Sequence, residues 1–252
     1  MKNIPYIFIF TLLLMTSSAL ANEVEFIWAE DHPDGSKIYT SEYREGEWQE
    51  KTLIAEDENL NILPALGSDS KTNRLAVWVT ITTNGNSVLK FSFKREGDWQ
   101  HSRILTNLFK TNLAPVIIFD SQDRAWVFWS ANDGNDDDIY MSHIANNRWT
   151  QPVEINSDND VPDILPKAGL DEYNNIWVSW QQLQDDMTYK EVSKKLVNDK
   201  WTGAQKHQIK IQENKSEFEH LTPPPFFQGR SRATFHFPNN KRNQSATIMS
   251  VE

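Results

Sequence analysis

The chain is 252 residues long and carries 35 acidic against 25 basic side chains, a formal net charge of −10. An acidic surface without clustered Lys and Arg excludes nucleic acid as a partner and adhesion to anionic lipid; the charge serves solubility. There is no cysteine, so disulfides and a lipid anchor on cysteine are excluded.

Residues 1–21 read as an export signal and not as part of the fold. Lys2 supplies a basic start, Ile4 to Met15 is mostly apolar, and Ala19-Leu20-Ala21 is a small-x-small cleavage pattern. The apolar run is too short to span a bilayer. Cleavage after Ala21 leaves residues 22–252 as one domain, long enough for a sizeable core. The expected destination is the periplasm or the medium, with no membrane insertion once the signal is gone.

Beyond the signal, tryptophans recur with a period of about 51 residues, the mark of repeated supersecondary units. Trp28, Trp78, Trp129 and Trp180 form one series, and Trp48, Trp99, Trp149 and Trp201 a second. Pro64, Pro115 and Pro166 keep the same step, as do Asp69, Asp120 and Asp171. The first unit begins at a strand b, Val24 to Trp28, and continues to a strand c, Ile38-Tyr39-Thr40-Ser41, and a turn, Glu45-Gly46-Glu47-Trp48. The second has Leu75-Ala76-Val77-Trp78 as strand b and Glu96-Gly97-Asp98-Trp99 as the turn before strand d. The third shows all four runs: Ala114 to Phe119, Ala125 to Trp129, Ile139 to Ser142, and Val153 to Ile155 after Trp149. The fourth repeats strand b as Ile176 to Trp180 and the turn as Asn198-Asp199-Lys200-Trp201. At the C-terminus Arg232 to Phe237 copies Arg124 to Trp129, and Ile248-Met249-Ser250 copies Tyr140-Met141-Ser142.

Short alternating runs rich in aromatic and β-branched residues, separated by Asp, Asn and Gly, are strands, and no run carries a sustained helical stripe. The fold class is therefore all-β: a β-propeller of four-stranded, roughly 50-residue blades. Five blades are expected, the first lacking strand a and the last lacking strand d. In the other geometry Pro225 to Gln228 supplies the missing first strand and four blades close. The periodic tryptophans are expected to fill the spaces between blades, where Trp→Ala costs ~3–5 kcal/mol.

The strand-c pattern, the turn ending in Trp and the stretch P-x-x-x-x-D-x(5)-W-V-x-W resemble the sialidase-like propellers built from Asp-box (BNR) repeats. Asp34-Gly35-Ser36-Lys37-Ile38-Tyr39 resembles the Asp-Gly turn and Ile-Tyr strand of TolB-type propellers. Of the full Asp-box, S-x-D-x-G-x-T-W, only the ending is present, as Gly46-x-Trp48 and Gly97-x-Trp99. The sialidase resemblance would imply three arginines around a substrate carboxylate and a Tyr–Glu pair. The arginines here fall mostly in hairpin turns, so no catalytic residue is carried over.

Candidate binding residues come from register. Asn61, Asn112 and Asp163 each stand three residues before a strand-a proline, and His220 three before Pro223. Equivalent blades should aim them at one channel mouth, as a central ligand site would need; otherwise they make side-chain turns with the backbone. The acidic loop Asn132 to Asp138 has oxygen ligands for Ca²⁺ but lacks the order of the calcium loop, and reads as a solvated turn. Asp69, Asp120 and Asp171 read as structural. No metal, cofactor or nucleophile motif is expected. The functional expectation is an exported, non-catalytic propeller binding a protein partner or a glycan. The alternatives are a sialidase-like glycoside hydrolase and a sugar-binding lectin.

Overall fold

The computed structural model describes residues 24–156, 159–207, 222–227, 233–236 and 245–248. Residues 1–21, read above as an export signal, and His220 lie outside the described residues. No helix among them is long and apolar enough to cross a membrane. The described strands form four antiparallel sheets, and the fold is a β-propeller.

The second sheet shows the build of one blade. Strand a is Leu60–Ser68, b is Arg74–Ile81, c is Ser87–Arg95 and d is Arg103–Thr106, with a short Asp98–Trp99 pairing beside c. The third sheet repeats it with Thr111–Phe119, Ala125–Asn132, Asp137–Ala145 and Val153–Glu154. The fourth has Asp163–Leu170, Ile176–Leu183, Tyr189–Val197 and Gln205–His207.

The periodic residues and the turns between them each have a local cause. Asp69, Asp120 and Asp171 close the a–b turns: each Oδ1 accepts the backbone N–H two and four residues on, at 2.9–3.0 Å. The turns after strand c place both central residues at positive φ, as Glu45-Gly46, Glu96-Gly97, Asn146-Asn147 and Asn198-Asp199. That is the two-residue geometry matched to strand twist, for which Asn, Asp and Gly are favoured. The prolines mark bulges. Ile62 pairs with Val79 and Ala65 with Val77, so Leu63-Pro64 stand opposite Trp78 alone. Ala114-Pro115 oppose Trp129 and Leu165-Pro166 oppose Trp180 in the same way. Leu63, Ala114 and Leu165 sit at φ of 52°, 50° and 54°, a conformation costing roughly 1–3 kcal/mol for a residue with a Cβ. Its recurrence opposite each buried indole ties the bulge to seating the tryptophan.

Both tryptophans of the 51-residue series in a blade face the preceding blade. Trp78 and Trp99 meet Ile27, Ala29 and Ile38 of the first sheet. Trp129 and Trp149 meet Val77, Phe91 and Phe93 of the second. Trp180 and Trp201 meet Ile118, Phe128 and Ile139 of the third. The seams are tight: a Cβ on Gly67 would lie 2.6 Å from Cγ2 of Ile117 across the second seam.

The two incomplete units expected at the ends of the chain are one sheet, so the described strands make four sheets and not five. The first sheet holds Val24–His32, Gly35–Arg44 and Thr52–Asp57 as strands b, c and d. Ala233–His236, which the sequence places as strand b of a fifth blade, pairs antiparallel with Val24–His32 and takes the strand-a position. Ser245–Ile248 pairs on its other side. Phe226 and Phe227, within the segment otherwise considered for that strand, lie against the face of this sheet instead. The reason is the edge. Val24 to Ala29 are all buried, and a buried strand cannot leave its N–H and C=O groups unpaired. Thr234 then donates to the Pro64 carbonyl of the second sheet at 3.0 Å, and His236 Nε2 lies 2.9 Å from Ser68 Oγ.

Candidate functional site

The structure places Asn61, Asn112 and Asp163 at equivalent points of three blades, as their register requires. All three are buried, at 1%, 0% and 0% exposure, and each is engaged inside the fold. Asn61 Oδ1 accepts Trp78 Nε1–H at 3.1 Å and the Thr80 hydroxyl at 2.6 Å. Its amide donates to the Ser36 carbonyl at the start of strand c of the preceding sheet, 3.0 Å away. Asn112 donates to the Ser87 carbonyl in the same way, at 2.9 Å. Asp163 accepts Trp180 Nε1–H at 2.6 Å and the Gln182 amide at 3.1 Å. Asn61 and Asp163 thus fasten the tryptophans of their own blades, and the two asparagines fasten the seam to the blade before. No hydrogen bond joins one of the three to another.

The third blade departs from its neighbours. Ala131 stands where Thr80 and Gln182 supply a polar side chain, and Asn112 Oδ1 and Trp129 Nε1 are both buried without a partner. Phe109 packs beside them, its ring 4.3 Å from Tyr140 and 6.4 Å from Trp129.

At the seam between the third and fourth sheets Asp163 stands where the other blades have asparagine, and Asp138 of strand c lies near it. Asn156 donates to Asp138 Oδ1 at 2.7 Å and to Asp163 Oδ2 at 2.9 Å, while Asn159 donates to Asp163 Oδ2 at 2.9 Å. Burial pushes the carboxyls of Asp138 and Asp163 above the usual range; the surrounding amide and indole donors oppose it. Burial also raises the Tyr140 hydroxyl to about 12, with Asp138 adding to the effect. In the acidic loop Asn132 and Asp133 accept the backbone N–H groups of Gly134 and Asn135. Among the described residues no group of three or more His, Asp or Glu side chains is placed to hold a metal ion.

One residue that the sequence reading passed over is Trp177. It stands in strand b three residues before Trp180, on the opposite face, and so points away from the third sheet. Its counterpart 51 residues earlier, Trp126, is buried: His143 stacks on it with centroids 4.2 Å apart, and its Nε1–H donates to Asp120 at 2.9 Å. Trp177 is half-buried and lies over Gly169, where a Cβ would come within 2.8 Å of the ring. The signal available in the sequence was the loss of apolar neighbours. Phe128, Ile139 and Met141 of the third sheet become Ser179, Glu191 and Ser193 at the same register in the fourth.

No protein-family model and no curated protein sequence matches the chain. Solved structures share its fold. A protein of unknown function from Dyadobacter fermentans is 11% identical over 75% of this chain and 69% of that one, with a TM-score of 0.57. An endo-arabinase from Bacteroides thetaiotaomicron is 10% identical over 90% of each chain, TM-score 0.51. An α-L-arabinofuranosidase from Fusarium graminearum, in complex with an iminosugar inhibitor, is 10% identical over 88% of this chain and 77% of that one, TM-score 0.51. At such identities the likeness is one of fold: a propeller of the type on which glycoside hydrolases are also built.

Proposed function

We propose that this protein is an exported β-propeller that binds carbohydrate without cleaving it. The carrying observation is the fate of the polar ring. Two of its three described members are amides, unable to act as acid or base, and all three are buried and engaged with tryptophans or the neighbouring blade. The carbohydrate part draws on the arabinase and arabinofuranosidase that share the fold, and export draws on residues 1–21. Direct ligand contact by Asn61, Asn112, Asp163 and His220 remains a proposal, and burial of the first three weighs against it. Binding of a protein partner is the competing outcome.

A second reading, glycoside hydrolysis, has one observation in its favour. Asp138 and Asp163 accept from the same Asn156 nitrogen, so those two oxygens are at most about 5.6 Å apart, a bound that admits the ~5–5.5 Å of retaining glycosidases. Their burial argues for a structural seam. Incubation with an aryl-glycoside panel and with arabinan separates the two. Turnover that disappears in Asp163→Asn would overturn the non-catalytic reading. A glycan array then tests the binder, and an array without a hit alongside capture of a periplasmic protein would replace carbohydrate with a protein ligand.

A further inference from the structure

The outward face of the fourth sheet is built differently from the same face of the second and third. Strand pairing aligns the positions one for one. Val77 and Phe91 in the second sheet, and Phe128 and Met141 in the third, correspond to Ser179 and Ser193 in the fourth. Leu89 and Ile139 correspond to Glu191, and Phe93 and His143 to Lys195. In strand a, Ala65 and Val116 become Lys167. Five positions that bury apolar or aromatic groups against a following blade thus carry hydroxyls or charges here. Such a face no longer suits packing against another blade, since each polar group would need a buried partner.

Within this polar surface the aromatic position is kept. Trp177 aligns with Leu75 and Trp126, and its ring lies along the sheet over Gly169. Any side chain at 169 would lift the indole off the sheet. Tyr189 is on the same face, paired with Leu183 at the other end of strand b, and is 38% exposed. Six residues separate Trp177 from Leu183 along the strand, about 20 Å at ~3.3 Å each. The charges around Trp177 are paired: Lys195 donates to Asp171 at 3.1 Å, Lys167 lies 3.9 Å from Glu191, and Ser179 donates to Glu191 at 2.9 Å.

We propose that this face is a binding platform for a neutral polysaccharide chain, with the Trp177 indole as the surface on which a sugar ring stacks. The aromatic face takes the C–H side of the ring, as aromatic surfaces take apolar groups while their rims stay polar. Glu191 and Lys167 present hydrogen-bonding groups beside it, and the buried Ser179 hydroxyl holds Glu191 from beneath. Tyr189 extends the contact along the strand, which suits an extended chain better than a single sugar. The balanced charge favours a neutral polymer over a uronate or sulfated one. The proposal rests on the carbohydrate-binding reading above and assigns it a place.

The test is native electrophoresis of the full chain in gels cast with soluble arabinan, mixed-linkage β-glucan or polygalacturonate, against a gel with no polymer. The expected result is retardation by a neutral polymer, weakened about tenfold or more in Trp177→Ala and less in Tyr189→Ala, with melting temperatures close to the parent's. Should Trp177→Ala fail to fold, Tyr189→Ala decides. Full retardation of the folded variants overturns the platform and leaves carbohydrate binding standing elsewhere on the protein. Retardation by polygalacturonate alone overturns the neutral-ligand assignment. No retardation by either neutral polymer overturns the platform, and the glycan array then decides the broader reading separately.

Discussion

The first and fourth sheets end the stack of blades, and their outward faces are opposites. That of the first is aromatic. Phe26, Trp28, Tyr39, Tyr43, Trp48 and Phe235 form one cluster, closed by Phe226 and Phe227. Phe227 stands edge-on to Phe26 at 5.1 Å, and Trp48 Nε1–H donates to the Thr222 carbonyl at 3.2 Å. The fourth sheet presents Lys167, Glu191 and Lys195 instead, over a buried Ser179. The blade template is directional, with the two series of periodic tryptophans facing backward and mostly aliphatic or phenyl groups facing forward. At the first sheet the backward face keeps the template and takes its cover from the C-terminal part of the chain. At the fourth the forward face is rewritten in polar residues, the way terminal repeats cap a stack.

The strongest way to break this contrast is to truncate one tryptophan on each face. Trp28→Ala should destabilise by ~3–5 kcal/mol, read as a shift of the urea midpoint. Trp177→Ala should cost about 1 kcal/mol or less, near the range of surface substitutions. Equal losses would mean that the two faces are equally buried.

Protonation probes the first sheet from within. His236 is buried, and burial, with Arg74 adding to it, holds its pKa down to about 3. Facing it are Ser68 on the second sheet and Glu25, its partner on strand b, which is ion-paired with Arg74 at 2.5 Å. A depressed histidine contributes stability that is full above its unfolded pKa, about 6.5, and is lost as pH falls toward about 3. The expected slope within that window approaches ~1.4 kcal/mol per pH unit. Burial raises the Glu25 carboxyl, Arg74 notwithstanding, which acts in the opposite sense, so the contribution is read as parent against His236→Gln in urea titrations from pH 7.5 to 3.5. Parallel pH profiles would show that the C-terminal strand is not held as described.

A smaller effect separates the inner and outer faces of the fourth sheet itself. Asp163→Ala leaves the indole N–H of Trp180 and the Gln182 amide without their acceptor and should cost ~1–3 kcal/mol by calorimetric melting. It should leave polysaccharide retardation intact, the reverse of Trp177→Ala. Smallest is a gain. Ala131→Thr would give Asn112 Oδ1 the hydroxyl that Thr80 gives Asn61, and should stabilise by ~0.5–1.5 kcal/mol. A loss there would show that the third seam lacks room for the side chain.

Much of this was legible in the one-dimensional pattern. The 51-residue spacing of Trp, Pro and Asp marked the blades, because each is a local device: an aspartate closing a turn, a proline bulge opposite an indole, a tryptophan filling a seam. Register also placed Asn61, Asn112 and Asp163 at equivalent points. The direction of those side chains was hidden, since the bulge at the next residues sets which face of strand a they join, and they turn into the seam.

From sequence alone come the all-β class, the repeat and the residues of the inter-blade core, for their causes lie within one blade of about 50 residues. Three things needed the tertiary structure. Ala233–His236 copies a strand b yet serves as strand a, because the buried Val24 to Ala29 edge required a hydrogen-bonding partner and only packing reveals which strand supplies it. The polar ring became a set of buried ties, to a tryptophan at Asn61 and Asp163 and to the preceding blade at Asn61 and Asn112, because burial and distance, and not spacing, decide what a side chain touches. Trp126 and Trp177 hold the same place in the repeat, but one is sealed by the next sheet and the other lies over Gly169 on a polar face. Periodicity treats two such residues as equal; only the presence or absence of a packed neighbour separates them.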